Sequence, residues 1–200
     1  ELLLVQLKSE MVRRERSVLQ AERIAFREAE IKEAVSELPF ALTRSQKVAA
    51  WEIMKDIGKE EPMNRLLSGD VGSGKTVVAG LSLYLAKLNN FQSAFMAPTE
   101  ILAQQHYQTL QKLFGNKFKL GLLSNEYAEG NDKALVGSHN VKRKALLKDL
   151  QDGSIDVLVG THALLTDDVK FKTLGLVVVD EQHRFGVEQR KIMKIGRAHV

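Results

Sequence analysis

The chain has 200 residues, of which 44% are hydrophobic and 27% charged, and its formal net charge is +4. This length allows one α/β domain with a well-packed core and an appendage. Cysteine is absent, which excludes disulfides and thiolate metal sites, and no apolar run is long enough to span a membrane. The slight positive charge suits a polyanionic partner without identifying one. With no secretory signal, the composition favours a reducing, cytoplasmic location.

Residues 1–38 are predicted to form a helical linker. They contain no glycine and are rich in good helix formers. Apolar residues such as Leu4 and Leu7 recur at helical spacing, with a break near residues 13–16. We therefore expect a charged connecting helix, or a pair of helices, that ends at Pro39.

From Phe40 onward, helical and strand patterns alternate. Helices are predicted at residues 43–57, 75–88, 99–114 and 141–150, and strands at residues 66–67, 93–97, 118–123, 155–159 and 174–179. The polar stretch 127–138 contains two glycines and is predicted to be a loop. Alternating strands and helices imply a parallel sheet with helices on its faces, so the predicted fold class is α/β.

Residues 69–76 fit the phosphate-binding pattern G-x-x-x-x-G-K-[ST], between a predicted strand and a predicted helix. The backbone N–H groups of such a loop and the helix dipole both attract phosphate. Lys75 should reach the β- and γ-phosphates of ATP, and the Thr76 hydroxyl should bind Mg²⁺. A glycine-rich turn that only joins the two elements is the weaker alternative. The residues expected at the nucleotide are Gly69, Gly72, Ser73, Gly74, Lys75 and Thr76.

Asp180 and Glu181 follow the apolar strand at residues 174–179. Ligands of open α/β sheets bind at the carboxyl ends of the strands, where this acidic pair lies. Asp180 is expected to hold Mg²⁺, and Glu181 to orient and deprotonate the attacking water. An acidic pair alone would more often belong to a surface loop, but the upstream phosphate loop favours catalysis.

Two further segments follow predicted strands and offer hydroxyl and N–H groups that suit phosphates of a DNA strand. They comprise Pro98, Thr99 and Glu100, and Gly160, Thr161 and His162. Simple helix capping by the threonines is the alternative. The side-chain amide of Gln46 could read the adenine edge, although an isolated helical glutamine is usually only exposed to solvent.

Together these motifs resemble superfamily 2 helicases, and within them the RecG family. The resemblance covers residues 1–194. It is carried by LPFALTRSQ at 38–46, MNRLL at 63–67, GDVGSGKT at 69–76, MAPTEILA at 96–103, VGTHAL at 159–164 and DEQHRFGVEQR at 180–190. It implies a RecA-like P-loop NTPase lobe at residues 39–194, preceded by the linker. It also implies a monomeric, ATP- and Mg²⁺-dependent motor that remodels branched DNA and has no membrane partner.

The resemblance also implies roles for individual residues. Phe40 and Gln46 would contact the adenine, and Lys75, Asp180 and Glu181 would carry out hydrolysis. A last group would couple the nucleotide to the neighbouring lobe, namely Gln182, His183 and Arg184. Of the histidines, His183 stands out because it follows the acidic pair.

The chain departs from the family in three respects. We expect a wedge domain, the S/T-A-T motif and a second lobe with its arginine finger, and find none of them in these 200 residues. The chain alone is therefore expected not to act as a helicase, since such motors hydrolyse ATP between two lobes. The loop at 127–136 also diverges from the family pattern.

Residues 195–200 read like the translation of a sequencing adapter, so we interpret them as a non-native tail.

Other assignments remain open. The transcription-repair coupling factor has a similar motor, but favours Glu where this chain has Gln182 and a bulky residue in place of Ser73. The primosomal replication-restart helicase is more distant. A nucleotide-dependent switch without motor activity would carry the same phosphate loop.

Overall fold

The computed structural model describes residues 21–123, 128–130 and 139–181. Its helices are α1 Glu28–Ser36, α2 Arg44–Ile57, α3 Lys75–Leu88, α4 Glu100–Phe114 and α5 His139–Asp152, with a 3-10 turn at His162–Leu165. Its strands are β1 Gln92–Met96, β2 Leu120–Leu123, β3 Ala128–Gly130, β4 Val157–Gly160 and β5 Leu174–Val179. None of the helices in this part of the chain is long and apolar enough to cross a membrane. The predicted tail at 195–200 lies outside the described residues.

The five strands form one sheet in the order β3-β2-β4-β1-β5. Strands β1, β2, β4 and β5 run parallel, which confirms the predicted α/β class, and β3 pairs antiparallel with β2. The loop prediction for residues 127–138 is therefore wrong at residues 128–130. Antiparallel pairing with the outer edge of β2, the preceding strand in the chain, makes this strand, whereas its own residues Ala128, Glu129 and Gly130 are all of types with low strand propensity.

Both faces of the sheet are covered, and alternate strand residues point to opposite sides. Phe95 and Val159 pack with α2, α3 and α4 in the larger cluster. Met96 and Leu158 pack in a second cluster that includes Leu146 of α5. The near-continuous apolar strands in the sequence follow from this burial on both faces.

The linker prediction is wrong for residues 21–27, which are not helical. Their backbone bonds to distant partners instead. Ala21 N donates to Glu60 O at 2.8 Å. The side chain of Asn89 accepts from Ala25 N and donates to Ala25 O, both at 2.9 Å. These tertiary hydrogen bonds outweigh a helical preference that amounts to a few tenths of a kcal/mol per residue.

The strand prediction for residues 66–67 is also wrong. Residues 65–70 have no regular secondary structure. Leu66 is 83% exposed. A strand needs a paired neighbour, and within the described residues β5 ends the sheet without pairing to this segment.

Candidate functional site

The residues predicted to be functional leave the sheet from one row of strand ends. Met96 lies opposite both Gly160 and Val179 in the parallel register. Two backbone bonds extend this row beyond the strands, from Ala97 N to Gly160 O and from Asp180 N to Met96 O, both 2.8 Å. We call this row the carboxyl edge. Parallel pairing thus brings together three motifs that span more than 80 residues of the sequence, from Met96 to Asp180.

The loop before α3 has the backbone that its glycines allow. Gly72 and Gly74 have φ angles of 79° and 83°, a region that other residues rarely adopt. A Cβ at Gly74 would also lie 2.3 Å from the Gln46 side-chain nitrogen. Gly74 is the N-cap of α3, so the helix points its positive end into the loop. This is the geometry expected of a phosphate site.

The Lys75 side chain turns back into this loop. Its ammonium donates to Gly69 O at 2.7 Å and to Asp70 O at 2.9 Å. A positive charge therefore lies among the backbone groups that would surround a phosphate, and it adds to the field of the helix terminus.

Gln46 connects α2 to the same loop. It forms a capping box with Thr43, accepting from Thr43 N at 2.8 Å, while its backbone N–H donates to the Thr43 hydroxyl at 3.2 Å. Its side-chain nitrogen donates to Ser73 O at 2.8 Å. These bonds already use the side-chain oxygen and nitrogen of Gln46, so the predicted contact of Gln46 with adenine would have to share these atoms with Thr43 and Ser73. Phe40, the other adenine candidate, is 45% exposed and open to a flat ligand.

Asp180 and Thr76, the two residues predicted to hold Mg²⁺, bond to one imidazole ring. His106 Nε2 lies 2.8 Å from Asp180 Oδ2, and His106 Nδ1 lies 3.4 Å from Thr76 Oγ1. The hydrogen bond from His106 lowers the pKa of Asp180, against the opposing effect of partial burial. The carboxylate thus stays charged, as a metal ligand must be.

The two oxygen donors fit Mg²⁺, which prefers hard oxygen ligands and commonly completes its shell with phosphates and water. The described residues contain no group of three acidic, histidine or cysteine side chains that could hold a metal alone. A metal here would depend on the nucleotide for its remaining ligands.

Glu181 has a φ angle of 50°, in the left-handed region. Such a backbone costs about 1–3 kcal/mol in a residue with a side chain, and it persists where the surrounding structure imposes it. The strain falls on the residue predicted to activate water.

Sequence reasoning missed His106, although a signal exists. Ala103 and Leu110 precede and follow it by three and four residues, and both are 0% exposed. His106 therefore interrupts the apolar stripe of α4 that faces the sheet. A titratable residue in such a stripe needs a polar partner, and Asp180 supplies it.

The predicted DNA-contacting residues differ in exposure. Thr99 is exposed and caps α4 by accepting from Leu102 N at 3.3 Å. Pro98 and Glu100 are half-buried, and His162 is exposed. The remaining two positions are not accessible, because Gly160 is buried and Thr161 is 1% exposed.

The predicted phosphate contact through the Thr161 hydroxyl is therefore corrected. That hydroxyl faces the interior beyond β4, and only the neighbouring His162 presents its side chain to solvent. The predicted coupling residues, Gln182, His183 and Arg184, lie outside the described residues.

Comparison with known proteins agrees with this geometry. The sequence profile of the DEAD/DEAH box helicases matches residues 43–199. The chain belongs to the DEAD/DEAH box helicase family. This match covers more than half of the chain and includes the phosphate loop, the carboxyl edge and the acidic pair.

Two helicases of known name are similar over most of the chain. The ATP-dependent DNA helicase RecG of Staphylococcus aureus is 46% identical over 195 residues, which is 97% of this chain and 27% of that protein. RecG of Staphylococcus epidermidis is 49% identical over 164 residues, or 82% of this chain and 22% of that protein. The chain thus spans about a quarter of the length of these relatives.

Solved structures give the same fold. A structure of RecG bound to a three-way DNA junction superimposes with a TM-score of 0.80 and 41% identity, covering 92% of this chain and 24% of that chain. The UvsW helicase of bacteriophage T4 superimposes with a TM-score of 0.59 at 17% identity over 90% of this chain and 60% of that chain, which supports the fold alone. The RecA-like α/β fold of the helicase lobe is thereby confirmed.

Proposed function

We propose that the full-length protein is an ATP-dependent DNA helicase of the RecG type that acts on branched DNA, and that this segment is its ATP-binding lobe. The convergence of the phosphate loop, Thr76 and Asp180 at the carboxyl edge is the observation that carries the proposal. The similarity to RecG proteins, one of them bound to a three-way junction, supports the DNA substrate. Because these relatives are bacterial, we place the activity in the bacterial cytoplasm. We further propose that the motor is a monomer.

We assign ATP binding to the phosphate loop at residues 69–76. The N–H groups of residues 72–76 and the positive end of α3 bind the phosphates. Lys75 exchanges its two carbonyl acceptors, Gly69 O and Asp70 O, for phosphate oxygens. Gln46, which bonds to Ser73 O, holds the loop against α2. Phe40 offers an exposed ring to the adenine.

Hydrolysis needs a charged, oriented set of oxygens near the γ-phosphate. Thr76 and Asp180 would hold Mg²⁺, which neutralises phosphate charge when it is bound. Glu181 orients and deprotonates the attacking water as the general base. The arginine of a second lobe, which the family resemblance implies, would stabilise the transition state.

DNA contact is proposed at the start of α4 and after β4. Thr99 keeps an exposed hydroxyl whose proton remains available, because in the cap it serves as acceptor. His162 and the backbone after Gly160 would contact the same strand. Contacts of this kind bind phosphates and carry no base information.

The motor function is tested with Lys75→Ala in the full-length protein. The wild type should hydrolyse ATP, faster with branched DNA, and remodel a model replication fork. Lys75→Ala should lose both activities by at least ~100-fold, because it removes the charge that faces the phosphates. Lys112→Ala, at an exposed lysine of α4, is the matched control.

The result separates two functions. Nucleotide binding by the wild type without DNA-stimulated hydrolysis or fork remodelling would contradict the motor and favour a nucleotide-dependent switch. Fork remodelling by Lys75→Ala at the wild-type rate would contradict the assignment of the phosphate loop.

The DNA contact is tested with Thr99→Ala. Affinity for branched DNA should fall, because one phosphate contact is lost. The slope of log affinity against log salt should stay near the wild-type value, because threonine is uncharged and its loss changes no counterion release. Thr109→Ala, in the exposed middle of α4, serves as the control. An unchanged affinity in Thr99→Ala would contradict the proposed interface.

A further inference from the structure

His106 occupies a position between the two groups that would hold Mg²⁺. It lies on α4, whereas Thr76 lies in the first turn of α3 and Asp180 follows β5. The ring therefore joins three elements that carry separate motifs. Its side chain is 16% exposed, and that of Asp180 is 25% exposed.

The protons in this arrangement follow from chemistry. An ionised carboxylate only accepts hydrogen bonds, so His106 Nε2 must donate to Asp180 Oδ2. In a neutral ring, Nδ1 is then an acceptor, and it faces the Thr76 hydroxyl at 3.4 Å. In this tautomer the Thr76 hydroxyl donates toward His106 Nδ1, which leaves its oxygen lone pairs for a cation. The second Asp180 oxygen is likewise left for the metal or its water.

We propose that His106 is a positioning residue for Mg²⁺, which orients the Thr76 hydroxyl and the Asp180 carboxylate without touching the metal. The inference rests on the proposed function, because it concerns the metal of the same ATP site. It assigns His106 to metal binding, whereas a residue that only packs α4 against the sheet would act on folding alone. Partners that orient metal ligands typically affect metal affinity or activity by about 10–100-fold.

Packing is the competing explanation, since the ring also lies 4.7 Å from the ring of Phe95. Two substitutions separate the roles. His106→Phe keeps an aromatic ring against Phe95 and removes both hydrogen bonds. His106→Gln can still donate and accept but loses the ring. Gln108→Leu changes an exposed residue of the same helix and is the control.

The experiment measures the affinity of the full-length protein for a fluorescent ADP, with Mg²⁺ and with chelator. The ratio of the two affinities reports metal binding without any turnover. In His106→Phe the ratio should fall by about 10-fold or more, while affinity in chelator stays at the wild-type value. His106→Gln should keep a larger part of the ratio than His106→Phe, and Gln108→Leu should match the wild type.

A wild-type ratio in His106→Phe would overturn the inference. An equal loss of affinity in both conditions, with a lower melting temperature, would also overturn it in favour of packing. If His106→Phe does not fold, His106→Leu decides, because it also lacks both hydrogen bonds, and an unchanged ratio there contradicts orientation by the imidazole. A wild-type protein that binds no nucleotide would instead overturn the proposed function.

Discussion

The two edges of the sheet use polar side chains in opposite ways. At the amino ends of the strands, Gln92 is 4% exposed and its side chain bonds only to backbone. It donates to Leu150 O and Ile155 O at 2.8 and 2.7 Å, and accepts from Lys172 N and Thr173 N at 2.7 and 3.1 Å. These four bonds use its full hydrogen-bonding capacity and join α5 to the segments that directly precede β4 and β5.

At the carboxyl edge the polar groups are more exposed, and several bonds can be exchanged. Lys75 holds two carbonyls of its own loop, and His106 bonds to side chains rather than to backbone. Exchanging such bonds for those of a ligand leaves the fold intact. The comparison teaches that a fully satisfied, buried amide fixes strand positions, whereas half-exposed groups with replaceable partners mark the binding site.

Gln92→Leu should have the largest effect on stability. It removes the side-chain partner of four backbone groups, of which Leu150 O and Ile155 O belong to buried residues. Because a buried polar group left unpaired costs about 1–3 kcal/mol, we expect a loss of about 1–3 kcal/mol in the local free energy of opening. Hydrogen exchange of the full-length protein, followed at the Lys172 and Thr173 amides, measures it.

The exposed Gln108→Leu is the control for this substitution and should stay within about 0.5 kcal/mol of the wild type. Unchanged protection of the two amides in Gln92→Leu would contradict the structural role of Gln92 at the amino ends of the strands.

Gln46→Ala should affect stability less than Gln92→Leu does, and it should also weaken nucleotide binding. The helix loses one half of a capping box, which costs about 0.5–1 kcal/mol. The bond to Ser73 O is also lost, so nucleotide affinity should fall by about 2–10-fold. Hydrogen exchange of α2 and ADP titration measure the two effects.

Ser45→Ala, at the exposed neighbouring position, controls for the change in helix composition. A large loss of stability without a change in ADP affinity would mean that the two edges do not differ as described.

The sequence predicts local features well where the signal is local. Thr43 and Thr99 cap the helices that were expected after them, and α3 begins at Lys75 and ends at Leu88 as predicted. The phosphate loop is recognisable because its glycines and Lys75 must stand at fixed spacing.

Features that depend on distant partners were not predictable in this way. Residues 21–27 are not helical, and Asn89, more than 60 residues away in the sequence, bonds to Ala25. The burial of Thr161 and the position of His106 between Thr76 and Asp180 likewise follow from packing across the sheet. The stripe of α4 indicates that His106 faces inward, but no spacing indicates its partners.

The central claim is that the carboxyl edge hydrolyses ATP, and Glu181→Gln in the full-length protein tests it most directly. The amide keeps the size of the side chain and removes only the base, so Mg²⁺-ATP should bind with nearly wild-type affinity. Steady-state turnover should fall by at least ~100-fold, the lower end of the contribution of a general base. Turnover at the wild-type rate in Glu181→Gln would contradict the account.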